Sequence, residues 1–403
     1  MLRRTFFRAL CSFAFLIPAA FVSGQSNIDL TITKEAGQPT VPVYRVAITS
    51  ENPEFARLAR RAFETHGSYR VTTPDKAQFT FNFSPTAGNA VKVSIKGGSV
   101  YEQVCTGPNE TAALMKACDV AVARTLKTPG YFAGTLAFSY SRNGLKTTEI
   151  CVSDMVFKNV RAITSDNSDS IFPHFSPDGT KIIYTGYFRT GFMDLFLIDL
   201  ATNSRKVFAS FKGSNTGGAF SPDGTKVASV LTSSGNAEVW VSNSQGQGFR
   251  KMTNTPSTES SASFSPDGSK LIFASDVRGG PQIYTMPASG GKMQVVRTNI
   301  SNYCSEPVWN PRYPNLIAFT AAIGKGFQIM VYDFNTKQTR QVSRGESTSN
   351  PKWLNDGRHL VATKSRGNSR QLYVIDSETD SQKPLHTTSF GSVKEPDYVY
   401  APR

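Results

Sequence analysis

At 403 residues, with 39% hydrophobic and 18% charged side chains, the chain has ample apolar material for packed cores, which excludes disorder as its main state. Lys and Arg number 44 against 30 Asp and Glu, a net charge of +14, yet no run of cations is interleaved with aromatics, which argues against nucleic acid as a partner. The 28 Phe and 14 Tyr lean the composition toward sheet over helix.

Residues 1–24 read as a cleaved export signal: Arg3, Arg4 and Arg8 precede an apolar run from Ala9 to Val22 and the small pair Ser23-Gly24. That run is too short for a membrane span of roughly 20 residues, and no later segment approaches it, so the mature chain is expected to lack a span. Of the remaining charge, residues 25–130 carry +3 and residues 131–403 carry +8. A basic solvated surface accounts for this; attraction to anionic envelope components or to an acidic protein face is the functional alternative. Cys105, Cys118, Cys151 and Cys304 remain after the leader, with no spacing that suggests zinc. Cys105 ends a predicted strand and Cys118 lies in the next predicted helix, so an oxidising location would permit a link between them.

Residues 25–130 are expected to form a small α/β domain behind an N-terminal arm. Strands are predicted over Val43–Thr49, Gln78–Ser84, Val91–Lys96 and Ser99–Val104, and helices over Pro53–Thr65 and Asn109–Lys127. Asn52 suits an N-cap with Pro53 at the first helical position. Phe55, Leu58, Ala59 and Phe63 then fall on one face and Arg57, Arg60, Arg61 and Glu64 on the other. The boundary is placed at Thr128-Pro129-Gly130, where Pro and Gly stop the second helix.

Residues 131–403 are governed by a repeat. Phe175-Ser176-Pro177-Asp178-Gly179-Thr180-Lys181 recurs from Phe220 and from Phe264, with degenerate copies at Trp309-Asn310-Pro311 and Trp353-Leu354-Asn355-Asp356-Gly357. In each unit the aromatic closes a short strand and Pro-Asp-Gly supplies a tight turn. A second strand, a Gly-bearing loop, a third strand and a more polar fourth strand follow. Four strands per 44 or 45 residues is the blade pattern of a β-propeller. Gly134–Ser141, Thr148–Ser153 and Val156–Thr164 read as strands two to four of a blade lacking its first. Glu395-Pro396-Asp397-Tyr398 parallels Glu306-Pro307-Val308-Trp309, so the missing strand lies at the C-terminus and closes a ring of six blades. The expected fold is mainly β: a six-bladed propeller with a small N-terminal α/β domain.

Asp178, Asp223 and Asp267 recur at equivalent turns and read as turn-formers, not metal ligands. His66, His174, His359 and His386 are scattered without ligand spacing, and neither a nucleophile elbow nor a phosphate loop is present. The sequence thus points to binding, without a cofactor. The loops before the inner strands and those joining second to third strands gather at the channel mouth, where Asp169-Ser170, Ser214-Asn215, Glu259-Ser260, Tyr303–Ser305, Ser347–Ser349 and Val393-Lys394 make a small, polar ring.

The export signal, α/β domain and six blades resemble the TolB family, the periplasmic components of the Tol-Pal system. The resemblance rests also on Asn52-Pro53-Glu54 opening the first helix, Leu126–Tyr131 leading into the propeller, Ile150-Cys151-Val152-Ser153-Asp154 in the first half-blade, and the C-terminal closing strand. It implies a monomeric, non-enzymatic periplasmic adaptor that supports outer-membrane integrity during cell division. The channel face would bind a Pal-like peptidoglycan-associated lipoprotein through Ser214, Asn215, Glu259, Ser260, Ser305, Glu306, Asn350 and Lys394. The arm, opening with Gln25, Ser26, Asn27, Ile28 and Asp29, would bind a TolA-like inner-membrane protein. Two other readings stand beside it: an exported propeller holding a small ligand or glycan in its channel, as an enzyme or not, and a structural repeat protein with unrelated partners. Loop oxygens at scattered positions leave a channel calcium ion open.

Overall fold

The computed structural model describes residues 41–142, 147–379 and 381–400. The export signal and the N-terminal arm lie outside them. The first element is β1 (Tyr44–Thr49), followed by α1 (Pro53–Thr65). Asn52 caps α1 through Oδ1, which accepts from Glu54 N at 2.9 Å and Phe55 N at 3.3 Å, and Phe55, Leu58, Ala59, Ala62 and Phe63 are buried on one stripe. β2 (Tyr69–Val71), β3 (Phe79–Thr86), β4 (Ala90–Lys96), β5 (Tyr101–Thr106) and α2 (Glu110–Leu126) complete the region. The sheet order is β2-β1-β3-β4-β5, with β1 parallel to β2 and β3 and the rest antiparallel. The three-residue β2 gives no alternation to read in sequence; its pairing with β1 defines it. Helix α2 ends earlier than the Pro-Gly pair, at Lys127, which takes a left-handed cap (φ 60°) and donates its N–H to Ala123 O.

Six four-stranded antiparallel sheets follow. Blade I combines Ser392–Val399 from the C-terminus with Thr135–Ser141, Glu149–Asp154 and Arg161–Ala162. Ser392 pairs with Ser141 and Val399 with Thr135, so the last strand seals the ring. Blades II to VI have inner strands Ser170–Phe175, Asn215–Phe220, Glu259–Phe264, Cys304–Trp309 and Thr348–Trp353. These inner strands touch pairwise around the circle, including VI against I and I against II. The outer strand of blade I is shorter than its sequence suggests, because Met155–Val160 is consumed by the turn held on Asp154, whose carboxylate accepts from Val156, Lys158 and Asn159 N–H.

In blades II, III and IV the Ser-Pro-Asp-Gly turns are nearly superimposable in their bonding. Ser176 Oγ donates to Asp178 Oδ1 at 2.5 Å and accepts from Lys181 N at 2.9 Å, while Thr180 N donates to Asp178 at 3.0 Å. Asp223 and Asp267 repeat this pattern. The glycines follow at φ 69°, 71° and 70°, where a side chain would be strained. Hydrogen bonds from Ser176 and Thr180 hold the Asp178 carboxyl down at about 2, so the aspartates act as turn-formers.

The α/β region and the propeller share one apolar core. Phe63, Tyr69, Phe81, Leu114 and Met115 pack in the same cluster as Tyr131, Phe132, Leu354, Val374 and Tyr398. Polar contacts cross this junction: Thr65 Oγ1 meets Tyr131 Oη at 2.9 Å, Asn355 Nδ2 donates to Gly130 O at 2.9 Å, and Arg61 donates to Leu385 O. All four described cysteines are buried free thiols, so the core around Cys105 and Cys118 is closed by packing without a disulfide.

Candidate functional site

Each inner strand carries one residue too many for its partner, and the extra residue takes a left-handed conformation. The six positions are Phe172, Gly217, Ser261, Glu306, Asn350 and Glu395, all with φ between 53° and 58°. The register slips beside each of them. A β-bulge turns its side chain out of the pleat and leaves one peptide N–H without a ladder partner. Repeated at 44- or 45-residue intervals, it builds a ring around the channel. Sequence reasoning had a signal for it: Phe172, Glu306, Asn350 and Glu395 are each followed by proline, which lacks an N–H and is tolerated in a sheet at such irregularities.

Carboxylates bond some of the leftover N–H groups across blade boundaries. Glu306 of blade V accepts from Asn350 N at 2.7 Å and Asn350 Nδ2 at 2.6 Å, both on blade VI. Glu395 of blade I accepts from Phe172 N of blade II at 3.1 Å and from Ser139 Oγ at 2.7 Å, and Lys394 Nζ lies 2.8 Å from its other oxygen. Burial pushes the Glu306 carboxyl up, its hydrogen bonds from Thr320 and Asn350 offset part of that, and Glu395 adds repulsion. Two residues beyond the bulge ring stand His174, Ala219, Ser263, Val308, Lys352 and Asp397. Asp397 accepts from Phe175 N at 2.8 Å and pairs with Lys352 Nζ at 2.6 Å, with His174 Nδ1 3.5 Å away. Burial opposes its ionisation, yet the facing Lys352 and His174 hold its carboxyl well below the usual range.

The channel wall is therefore lopsided. Blades V, VI, I and II contribute charged or bulky groups at the bulge, already bonded to one another. Blades III and IV contribute Gly217 and Ser261, then Ala219 and Ser263. A Cβ placed on Gly217 would find no atom within 4 Å, so the space beside it is unfilled.

The mouth residues singled out in sequence divide into two sets. Asn215 is fully buried: its amide accepts from Phe211 N at 2.9 Å and donates to Phe211 O at 2.9 Å and Met193 O at 3.1 Å, so it shapes its loop and is not presented. Glu259 is also buried, accepting from Ser275 Oγ at 2.7 Å and Thr255 Oγ1 at 2.9 Å. Burial and the neighbouring Glu238, itself bound by Lys251 at 3.0 Å, push Glu259 up to about 7. Ser214 and Ser305 are buried, whereas Ser260, Glu306, Asn350 and Lys394 are half-buried around the channel. The arm residues Gln25 to Asp29 lie outside the described residues.

A second cluster of titratable groups sits at the junction. His66, Asp356 and His359 are buried and each offers a possible ligand atom within 4.8 Å of the others, a donor set of zinc-like type. The Nδ1 atoms are committed otherwise. His66 Nδ1 accepts from Ser68 N at 3.2 Å, and His359 Nδ1 lies 2.5 Å from Asp356 Oδ2 with Nε2 3.6 Å from Asp376 Oδ2. Arg358 clamps Asp376 through Nε at 2.8 Å and Nη2 at 2.6 Å and reaches Ser68 Oγ at 2.9 Å. Burial opposes a charge on His359, but the two flanking carboxylates raise it to about 9. His66 is held neutral by burial and by the adjacent His359 and Arg358 charges. The set is an ion-pair network whose charges cancel, two cations against two carboxylates. Gly67 lets the chain approach it, since a Cβ there would fall 1.9 Å from Asp376 Oδ2.

Comparison with known proteins agrees with this architecture. Residues 124–400 match the TolB beta propeller domain family. The Tol-Pal system protein TolB of Francisella tularensis subsp. mediasiatica is 25% identical over 321 residues, covering 75% of this chain and 73% of the relative. Its counterpart in subsp. tularensis is 25% identical over 321 residues, covering 75% and 72%. Among solved structures, TolB from Acinetobacter baumannii superposes with a TM-score of 0.78 at 20% identity, covering 89% of this chain and 98% of that one. A putative TolB from Agrobacterium tumefaciens gives 0.51 at 16% identity, covering 67% and 99%. With a six-bladed ring closed by its C-terminal strand and a family match spanning the whole propeller, the chain belongs to the TolB β-propeller family.

Proposed function

We propose that this TolB-type propeller is a non-enzymatic periplasmic adaptor of a Tol-Pal-like system. Its channel mouth takes a peptidoglycan-associated lipoprotein, and its arm, from Gln25, takes a TolA-like inner-membrane protein, together supporting outer-membrane integrity during division. The observation that carries the reading is the lopsided channel. The ionisable groups at the bulge ring are spent on one another and on surplus backbone N–H groups, as in the Glu306–Asn350 and Glu395–Phe172 contacts. Groups used in this way hold the wall in shape rather than wait for a substrate. The space beside Gly217 is unfilled, and the neighbouring channel positions Ala219, Ser261 and Ser263 are small, a lining suited to an inserted protein loop. Ser260 stands on the small-residue side, on blade IV, and Asn350 and Lys394 on the facing wall of blades VI and I, while Ser214, Asn215, Glu259 and Ser305 are buried at or beside the start of the inner strands.

The test is capture from detergent-solubilised envelope of its own source, using residues 25–403 and a Ser260→Arg variant. Recovery of a peptidoglycan-associated lipoprotein, lost in the variant, is the expected result. Recovery of no lipoprotein by either form overturns the assignment and directs the search to small ligands in the channel.

A further inference from the structure

The bulge ring holds a side chain that its own backbone does not call for. Of the six left-handed residues, Gly217, Ser261, Glu306, Asn350 and Glu395 are small or polar, and Phe172 (φ 54°) is the large apolar one. A bulky residue seldom takes this conformation, which crowds Cβ against the backbone and which glycine and asparagine tolerate best. The bulge in blade II is fixed through the main chain, since Phe172 N donates to Glu395 Oε2 at 3.1 Å, and the other five blades form the same bulge without an aromatic. Folding thus requires the bulge and leaves the choice of side chain open. Phe172 is half-buried and joins none of the apolar clusters of the described residues, whereas Phe175 of the same strand packs in one. It lies two residues inside the mouth end of Ser170–Phe175, a depth of about 7 Å. The next ring position is Gly217, on the neighbouring inner strand, where an added Cβ would find no atom within 4 Å. The ring position beside Phe172 is thus unfilled, and Ala219, Ser261 and Ser263 keep the adjoining positions small.

We propose that Phe172 is the apolar anchor of the channel, a specificity-determining residue that packs against an apolar side chain at the tip of the entering lipoprotein loop, seated over Gly217. The inference rests on the adaptor reading and adds to it the residue that grips the partner and the chemistry it selects. A left-handed backbone held at a bulky side chain costs stability and persists where the exposed group is used. Half-exposed aromatics beside small neighbours act as hot spots, because a partner group covers the ring and the surrounding contacts exclude water. The polar groups of the facing wall are already bonded: Glu306 to Asn350, Glu395 to Ser139, and Asp397 to Lys352. That leaves Phe172 as the large apolar contact surface at the level of the bulges.

The experiment titrates residues 25–403 with two probes, the soluble domain of the lipoprotein from the same source and tetra-N-acetylglucosamine, and records a urea midpoint for each form. The forms are the wild type, Phe172→Asn, Phe172→Tyr and Gly217→Asn. Asparagine suits both sites, since Asn350 already holds the same left-handed position before a proline, as Phe172 does. The expected result is a lipoprotein Kd raised about tenfold or more in Phe172→Asn at an unchanged urea midpoint, and restored to within about threefold in Phe172→Tyr. Gly217→Asn, which fills the space while keeping Phe172, should raise Kd by a similar factor. An unchanged Kd in Phe172→Asn overturns the inference and leaves the adaptor reading standing. If that variant unfolds at lower urea, Gly217→Asn decides, and an unchanged Kd there overturns the inference. Tetrasaccharide binding that is lost in Phe172→Asn, without lipoprotein binding, overturns it in favour of a glycan stacked on the phenyl ring. Binding of neither probe by the wild type sinks the adaptor reading and the anchor with it.

Discussion

The turn after the inner strand follows one sequence pattern in blades II and VI, with opposite results. In blade II, Asp178 is exposed and Lys181 half-buried; in blade VI, Asp356 and His359 occupy the equivalent positions and are buried. Both aspartates accept backbone N–H groups two residues on, from Thr180 and from Arg358, each at 3.0 Å. The difference is the α/β region, which covers the blade VI turn and removes it from water. An exposed carboxylate needs only its turn; a buried one needs a cation. Blade VI supplies that cation with His359 in place of lysine, adds Arg358 and Asp376, and leaves His66 neutral on the facing segment. A repeat unit can thus be recruited into an interface by changing two or three positions while its backbone stays the same.

Removing charge at the buried turn is the strongest way to break this contrast. Asp356→Ala leaves the His359 imidazolium short of a partner in a dry site and is expected to destabilise the protein by about 3–5 kcal/mol, read as a fall in the urea midpoint. Next comes pH. His359, raised to about 9 in the fold from an ordinary 6.5, contributes stability that is fully present below pH 6.5 and is lost as pH rises through 9. That loss reaches up to about 3 kcal/mol by pH 10. The His359→Gln variant, weaker at pH 7, should show no such slope between pH 7 and 9.5; an equal slope would assign it elsewhere. His66 acts in the other direction: it stays neutral in the fold, so stability falls as pH drops below 6.5, when the unfolded chain takes up the proton.

In the channel, Glu306→Gln tests whether the bulge ring needs charge or only an acceptor. The carboxyl is already pushed up by burial, and a glutamine oxygen can still accept from Asn350 N, so the cost should stay within about 1 kcal/mol. A larger loss would mean that the charge itself holds blades V and VI together. The smallest effect belongs to the exposed turn. Asp178→Ala should cost about 0.5 kcal/mol, and a value near that of Asp356→Ala would erase the distinction between the two turns.

Much of the fold was legible before any coordinates. The aromatic-Ser-Pro-Asp-Gly spacing located the blades, and Glu395-Pro396-Asp397-Tyr398 located the strand that closes them. The site was less legible. Asn215 and Glu259 have the composition of presented polar groups, but burial follows from how each loop folds back on Met193 or Thr255, which spacing does not encode. The four histidines looked unconnected because His66 and His359 are 293 positions apart, yet their rings lie 4.3 Å from each other.

By itself the sequence determined everything that is local and periodic: helix caps, tight turns, strand alternation and the number of blades. These depend on φ preferences and on residues a few positions apart, so they are written along the chain. Tertiary structure decided which copies of the turn meet water and which meet another element. It also decided which carboxylate takes the surplus N–H of the next blade, and where the channel is open. Those outcomes depend on groups brought together from distant segments, where the cost of burying an unpaired charge selects the partner.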